Sequence, residues 1–459
     1  MIFEIQSKVF LKGLKPRTGL EVMKKLALPN PKYEEAVKQG RWLGGLEPKL
    51  YFYKVGECGL VCPRGAARQL YCLCRAHGEE IQVIDRRRIL EPVDFTFQGE
   101  LRPFQVQPVT DCLARDHALL SAPTGSGKTA MALYMIAERQ QPALVICHTK
   151  ELLYQWVKRA ENFLGIPAKE IGVIGDGKFS IGDRLTIALV QSLYKHIGEV
   201  TPYVGHVVVD EAHRTPSRTF TEAVSAFDAK YILALSATPY RRDGLSKVIY
   251  WHCGDLAAEI KKEDLLEGGD LCPADVIWLE TSFSTPTDAS EYYSRALSEL
   301  TEDEPRNRLI CQTVAENNGT GISLILSDRK AHCHALAEIL EIEHDIDAAV
   351  LTGGTGTRER RRILDDLQGG RCKYLIATGQ LIGEGFDLPE ISSMFLTTPV
   401  KYHGRLIQYI GRALRPAPGK DWATVYDFVD IRNPVFRAQA KSRERTYARQ
   451  LLGAARAAA

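Results

Sequence analysis

No stretch of this 459-residue chain approaches the roughly 20 consecutive apolar residues that a membrane-spanning helix needs. The opening MIFEIQSKVFLKGL carries Glu4 and Lys8 where a secretory signal would be apolar, so a cytoplasmic protein is expected. Paired cysteines are also scarce. Of the eleven, Cys112, Cys147, Cys253, Cys272, Cys311, Cys333 and Cys372 stand singly, which excludes a disulfide framework and suits a reducing compartment. There is no internal repeat, which excludes a solenoid, and no nuclease-like motif. A large charge of one sign is missing too, because the formal net charge is only +2. That small number hides an asymmetry. Residues 1–97 carry 17 Lys or Arg against 11 Asp or Glu, and residues 431–459 carry 7 against 1, so the stretch between them is acidic. Basic ends around an acidic centre suit a polyanionic partner touched from the periphery, although such charges also serve as solvated faces.

The length exceeds what one hydrophobic core supports, so several domains are expected. From Phe104 to about residue 430, short apolar runs (ALVICH, LTIALV, HVVVDEA, YILALSAT, ISLILSD, KYLIAT, ISSMFLTT, ATVYDFV) alternate with helix-length segments. Such runs read as buried parallel strands of βαβ units, and they are too many for one ordinary sheet. The expected fold is α/β, with two doubly wound parallel-sheet lobes behind a small α+β N-terminal domain. The boundaries predicted are 1–97, 98–265, 266–435, and a basic helical tail over 436–459 that frays at its Ala-rich end.

The segment CGLVCPRGAARQLYCLC holds Cys58, Cys62, Cys72 and Cys74, a spacing that raises zinc. Cys58 and Cys62 can form one half of a clip. Cys72 and Cys74 fall on a predicted helix, where residues two apart point about 200° from each other. His77 could replace one of them, but the reading favoured is a buried strand ending at Pro63 packed against a helix. Arg64 and Arg68 lie at the strand-to-helix turn, where the family resemblance described below implies nucleic-acid contact. Arg86, Arg87 and Arg88 suit phosphate contact or a solvated turn equally, and KSRERTYAR in the tail is open in the same way.

Chemistry enters with APTGSGKTA, residues 122–130, between an apolar strand and a helix. Pro123, Thr124, Gly125, Ser126 and Gly127 form a loop whose glycines let backbone N–H groups approach phosphates. Lys128 can reach the β- and γ-phosphates, and Thr129 can offer its hydroxyl to Mg²⁺. Ala122 stands where the pattern has its first glycine. About 80 residues on, HVVVDEAH puts Asp210 and Glu211 at the end of another apolar strand. Asp210 suits Mg²⁺, and Glu211 suits a general base that orients water.

The order of the remaining motifs resembles the superfamily 2 helicases over roughly residues 98–435. LRPFQ, with Arg102 and Gln105, is similar to the element that contacts adenine. HTKELLYQW and IALVQSL, with Thr149 and Gln191, match strand-binding motifs. SAT, with Ser236 and Thr238, matches the motif that couples nucleotide to nucleic acid, and His213 is implied in the same coupling through Gln408. LIATGQLIGEGFDLPEI, with Gly383 and Asp387, and QYIGRALRP, with Gln408, Arg412 and Arg415, match the second lobe's nucleotide motifs. The resemblance implies RecA-like lobes, ATP and Mg²⁺ as cofactors, and hydrolysis coupled to lobe movement by arginines from the opposite lobe.

SATPYRRDG with Arg242, LTGGTGTRERRRIL, ATVYDFVD and the N-terminal layout are similar to the XPB, UvsW and RadD group. Arg241-Arg242-Asp243 lacks the glutamate of that group's charged stretch. The resemblance implies a monomeric DNA motor, moving 3′ to 5′ on single-stranded, forked or branched DNA in repair, recombination or replication restart. RNA remodelling, or a translocase subunit of a restriction or defence complex, are the alternatives. A metal role for His213, or for His332 and His334, is disfavoured against packing and coupling roles.

Overall fold

The structure is a computed structural model that describes residues 1–214, 218–237, 244–317, 321–379, 391–400, 406, 409–411, 420, 422–450 and 456–457. The chain divides into two compact units, Met1–Pro123 with Gly127–Ile260, and Lys261–Ala459 with Thr124–Ser126.

The first unit begins with a five-stranded sheet in the order Lys54–Gly56, Gly59–Pro63, Lys8–Lys12, Ile2–Ile5, Gln82–Asp85. All pairings are antiparallel except the last. Strand alternation turns Val9 and Leu11 inward, and helices Pro16–Lys25 and Ala67–Ala76 bring Val22, Leu70 and Cys74 onto them. This core does not close on itself. It takes in Val248 and Trp251 from helix Ser246–Cys253, so the N-terminal domain shares a core with the lobe that follows.

That lobe is an eight-stranded sheet in the order Lys178–Phe179, Gly172–Gly175, Leu185–Leu189, Ala143–Cys147, His206–Val209, Tyr231–Ser236, His117–Ser121, Leu256–Glu259. Every pairing is parallel except that of Lys178–Phe179. Ala143–Cys147 and His206–Val209 are buried at every position, as expected of strands covered on both faces by crossover helices.

The second unit holds a parallel sheet in the order Ala349–Leu351, Tyr374–Thr378, Ile322–Ser327, Ile391–Leu396, Ala423–Val429, Ala274–Glu280, Arg456–Ala457. Leu336, Leu340, Ile376 and Phe395 lie in its core. The basic tail is helical as expected over Pro434–Gln450, and that helix is docked on the lobe. Helix Pro434–Gln450 buries Phe436, Ala440 and Tyr447. Arg443 meets both oxygens of Asp427 at 2.7 Å, and the Tyr447 hydroxyl donates to Asp427 Oδ2 at 2.7 Å. Arg443 is therefore unavailable to phosphate, while Lys441 and Arg445 remain exposed. A second buried pair, Arg306 with Asp430 at 2.7 Å, is completed by the Thr281 hydroxyl at 2.6 Å. His332 is also internal. Its Nδ1 lies 2.9 Å from Ser327 Oγ and its Nε2 lies 2.8 Å from Asn307 Oδ1, a packing role. Among the described residues no helix is long and apolar enough to cross a membrane.

Candidate nucleotide-binding site

The site is set by three neighbouring parallel strands. Tyr231–Ser236 lies between His117–Ser121 and His206–Val209, with Ser236 opposite Ser121 and Ala234 opposite Val209. The phosphate loop, Ser236 and Asp210 thus emerge side by side at the carboxyl edge of the sheet, where open α/β sheets bind ligands.

Gly125 and Gly127 take φ of 93° and 80°, a region that disfavours a Cβ. Gly127 has a second constraint, because a Cβ there would lie 2.5 Å from Gln105 Nε2. Gln105 is itself fixed, with Oε1 accepting from Arg102 N at 2.9 Å, so the LRPFQ element lies against the phosphate loop. Lys128 begins helix Lys128–Arg139, and its Nζ donates to Ala122 O and Pro123 O, each at 2.9 Å. The ammonium is held inside the loop's curl, and Thr129 follows in the first helical turn.

Asp210 is buried at the end of its strand. Its Oδ1 accepts from Glu211 N at 2.9 Å, and its Oδ2 accepts from Trp156 Nε1 at 2.8 Å. Burial, and then the neighbouring Glu211 carboxylate, push the Asp210 carboxyl up to about 6, against the opposing pull of Trp156 and Lys128. Glu211 has a φ of 51°, a left-handed conformation uncommon outside glycine and a form of strain that collects at functional sites. His213 Nδ1 lies 3.2 Å from Glu211 Oε2. Two carboxylates crowd near a single ammonium at the mouth of a phosphate loop. Such a donor set fits a divalent cation carried with a nucleotide, whose charge offsets their repulsion.

Trp156 was not among the candidates from sequence. It lies with Leu153, Ala160 and Leu164 on the buried stripe of helix Lys150–Leu164, which by spacing reads as core. A buried indole N–H needs an acceptor, but only the fold reveals that the acceptor is Asp210. Thr149 caps the same helix, its Oγ1 accepting from Leu152 N at 3.4 Å, and Gln191 is exposed. Thr238, Arg242, Gly383, Asp387, Gln408, Arg412 and Arg415 lie outside the described residues.

The structure corrects one nucleic-acid candidate. Arg64 is 3% exposed, and its Nη1 donates to Ala229 O of the adjoining lobe at 2.7 Å. Gly65 serves the same seam, since a Cβ there would lie 2.6 Å from both Gly254 N and Tyr250 O. The Pro-Arg-Gly turn therefore joins two domains and is closed to a polyanion. Arg68 is exposed. Arg87 meets Asp85 at 2.7 Å and Asp116 at 2.8 Å, and Arg88 meets Asp228 at 2.9 Å, so two of the arginine triplet are also committed to the seam. Cys62 and Cys74 are buried in the N-terminal core and Cys58 and Cys72 are exposed, which separates the four sulfurs. Among the described residues no group of three or more His, Cys, Asp or Glu gathers to hold a metal.

Residues 98–241 match the family model described as "Type III restriction enzyme, res subunit", and residues 305–417 match "Helicase conserved C-terminal domain". The protein named "Probable helicase D10" of Escherichia phage T5 is 27% identical over 365 residues, covering 78% of this chain and 77% of that one. The "DNA 3'-5' helicase XPB" of Kineococcus radiotolerans is 24% identical over 364 residues, covering 76% and 63%. The chain is a superfamily 2 helicase. It is related to the XPB-like group, and as such a helicase it is a nucleic-acid-dependent ATPase. Its fold is shared with a fragment of an HsdR subunit of a type I restriction enzyme from Vibrio vulnificus. The TM-score is 0.56 at 17% identity, covering 72% of this chain and 65% of that one.

Proposed function

We propose that this helicase is a DNA motor that moves 3′ to 5′ on single-stranded, forked or branched DNA and remodels it in repair, recombination or replication restart. The observation that carries the ATPase half of this reading is the crowded Asp210–Glu211 pair beside Lys128 at one sheet edge. The DNA and polarity half is supported by the XPB relatives, which are named as 3′-5′ DNA translocases and helicases.

In this reading the backbone of Gly125 to Lys128 and the Lys128 ammonium hold the phosphates, while Thr129 and Asp210 hold Mg²⁺. Arg102 and Gln105 secure the base. When bound, Mg·ATP supplies the γ-phosphoryl group and the charge to be stabilised. Glu211 orients the attacking water and takes its proton on a carboxylate oxygen, and a cation bound at Asp210 would offset the repulsion between the two carboxylates. Ser236, Thr238 and His213 couple this site to nucleic acid. By resemblance, Gln408, Arg412, Arg415, Gly383 and Asp387 complete the nucleotide site, and Thr149, Gln191, Arg242 and Arg68 touch the nucleic acid. The restriction-subunit family match and the HsdR likeness favour a second reading, a duplex translocase working within a larger complex. Strand displacement from a fork against displacement of a triplex strand tests this: loss of both forked and single-strand activity with triplex displacement intact selects the second reading.

A further inference from the structure

Trp42 is 90% exposed, the most exposed of the large hydrophobic side chains among the described residues. Its loop is not slack. Arg41 N donates to Ala36 O at 2.9 Å, Leu46 N to Leu43 O at 2.8 Å, and Asn30 Nδ2 to Glu47 O at 2.8 Å. Strand Ala27–Pro29 pairs antiparallel with Lys49–Tyr51, which follows the loop in sequence. Gly40 and Gly45 turn the chain at either side with left-handed backbone. A Cβ at Gly44 would collide with the Trp42 ring, so one edge of the indole rests on bare backbone. The rest of the ring faces solvent.

An aromatic of this size held in water by a pinned loop is costly unless something covers it. The surrounding charge identifies what. From residue 38 to 54, Lys38, Arg41, Lys49 and Lys54 are exposed and opposed only by Glu47. Tyr51, 56% exposed, is a second exposed aromatic, on strand Lys49–Tyr51. An exposed flat ring in a segment that carries four exposed cations and one acidic residue matches an unpaired nucleobase and its phosphates.

We propose that Trp42 is a stacking platform for an unpaired base, and that the loop Gly40–Gly45 engages nucleic acid where a duplex ends in a single strand. This rests on the nucleic-acid reading above and assigns it a place on the N-terminal domain away from Arg64.

The test uses the full chain at fixed salt, with Trp42→Ala and Trp42→Phe variants, and measures binding of a labelled forked DNA and a blunt duplex of the same paired sequence by fluorescence anisotropy. Trp42→Ala is expected to weaken fork binding by roughly 5- to 150-fold, the range spanned by one base–aromatic stack, with blunt-duplex binding unchanged and Trp42→Phe close to wild type. Basal ATP turnover and melting temperature stay the same in all three, because the side chain contacts no core. Fork binding equal to wild type in Trp42→Ala overturns the proposal, as does an equal loss on fork and blunt duplex. If wild type itself binds neither fork nor single strand, the nucleic-acid reading fails, and with it the basis for this platform.

Discussion

Replacing Arg64 by alanine distinguishes a seam residue from a DNA contact. The guanidinium is buried, and burial pulls its pKa down to about 9, so the fold keeps it charged at some expense. It does so with Nη1 donating to Ala229 O at 2.7 Å and the side chain buried at the seam. Arg64→Ala leaves the Ala229 carbonyl without that donor and opens a cavity where the N-terminal core meets the lobe. An unsatisfied buried group costs about 1–3 kcal/mol and a truncated buried side chain about 2–5, although relief of the buried charge offsets part of this. A net loss of about 3 kcal/mol is expected. For a folding unit of this size that corresponds to a melting temperature lower by about 6–12 °C, followed by near-UV circular dichroism or scanning calorimetry. DNA affinity measured well below the transition should retain its wild-type salt dependence. The reasoning is refuted if Arg64→Ala melts like wild type while the slope of log affinity against log salt falls by about one, the signature of a lost phosphate contact.

Other residues give independent checks. Trp156→Phe keeps the packing but removes the donor to Asp210, an interaction with a charged group worth about 1.5–3 kcal/mol. kcat/KM for ATP should fall roughly 10- to 100-fold, the Mg²⁺ requirement should rise and the melting temperature should drop by about 3–12 °C; unchanged Mg²⁺ dependence would remove Trp156 from the site. Burial holds His206 and His332 down to about 3 and His252 to about 4, so the folded chain keeps them neutral while the unfolded chain binds protons below about 6.5. Stability is therefore lost as pH falls from about 6.5 toward 3, with each histidine contributing about 2 kcal/mol at pH 5, and urea titrations at pH 7.5 and 5 measure it. Asp427→Asn strands the buried Arg443 charge and should cost about 3–5 kcal/mol, while the triple change Asp427→Leu, Arg443→Met and Tyr447→Phe, which removes every partner together, recovers most of it.

The strands that carry the candidate nucleotide site were legible because their motifs are local. A phosphate loop needs its glycines and lysine within a few residues, and DEAH declares itself by following a buried strand, so Lys128, Asp210 and Glu211 converge as the spacing implied. The parallel lobes were legible for the same reason, since fully buried strands leave continuous apolar runs. Arg64 was misread because exposure is a tertiary property: a turn arginine looks alike whether solvent or another domain lies beyond it, and Ala229 is 165 residues away. Arg443 and Tyr447 were hidden in the same way, as charge on a terminal helix does not announce its buried counter-ion. Trp42 escaped notice for the opposite reason. A tryptophan is expected inside, and only the fold shows this one 90% exposed.

The central claim is that Lys128, Asp210 and Glu211 hydrolyse ATP in step with nucleic acid. Steady-state ATP hydrolysis by the full chain, with and without single-stranded and forked DNA, tests it most directly alongside Lys128→Ala and Glu211→Gln. The account predicts strong stimulation by DNA in wild type and no turnover in either variant, whereas hydrolysis that ignores DNA, or that survives Glu211→Gln, would contradict it.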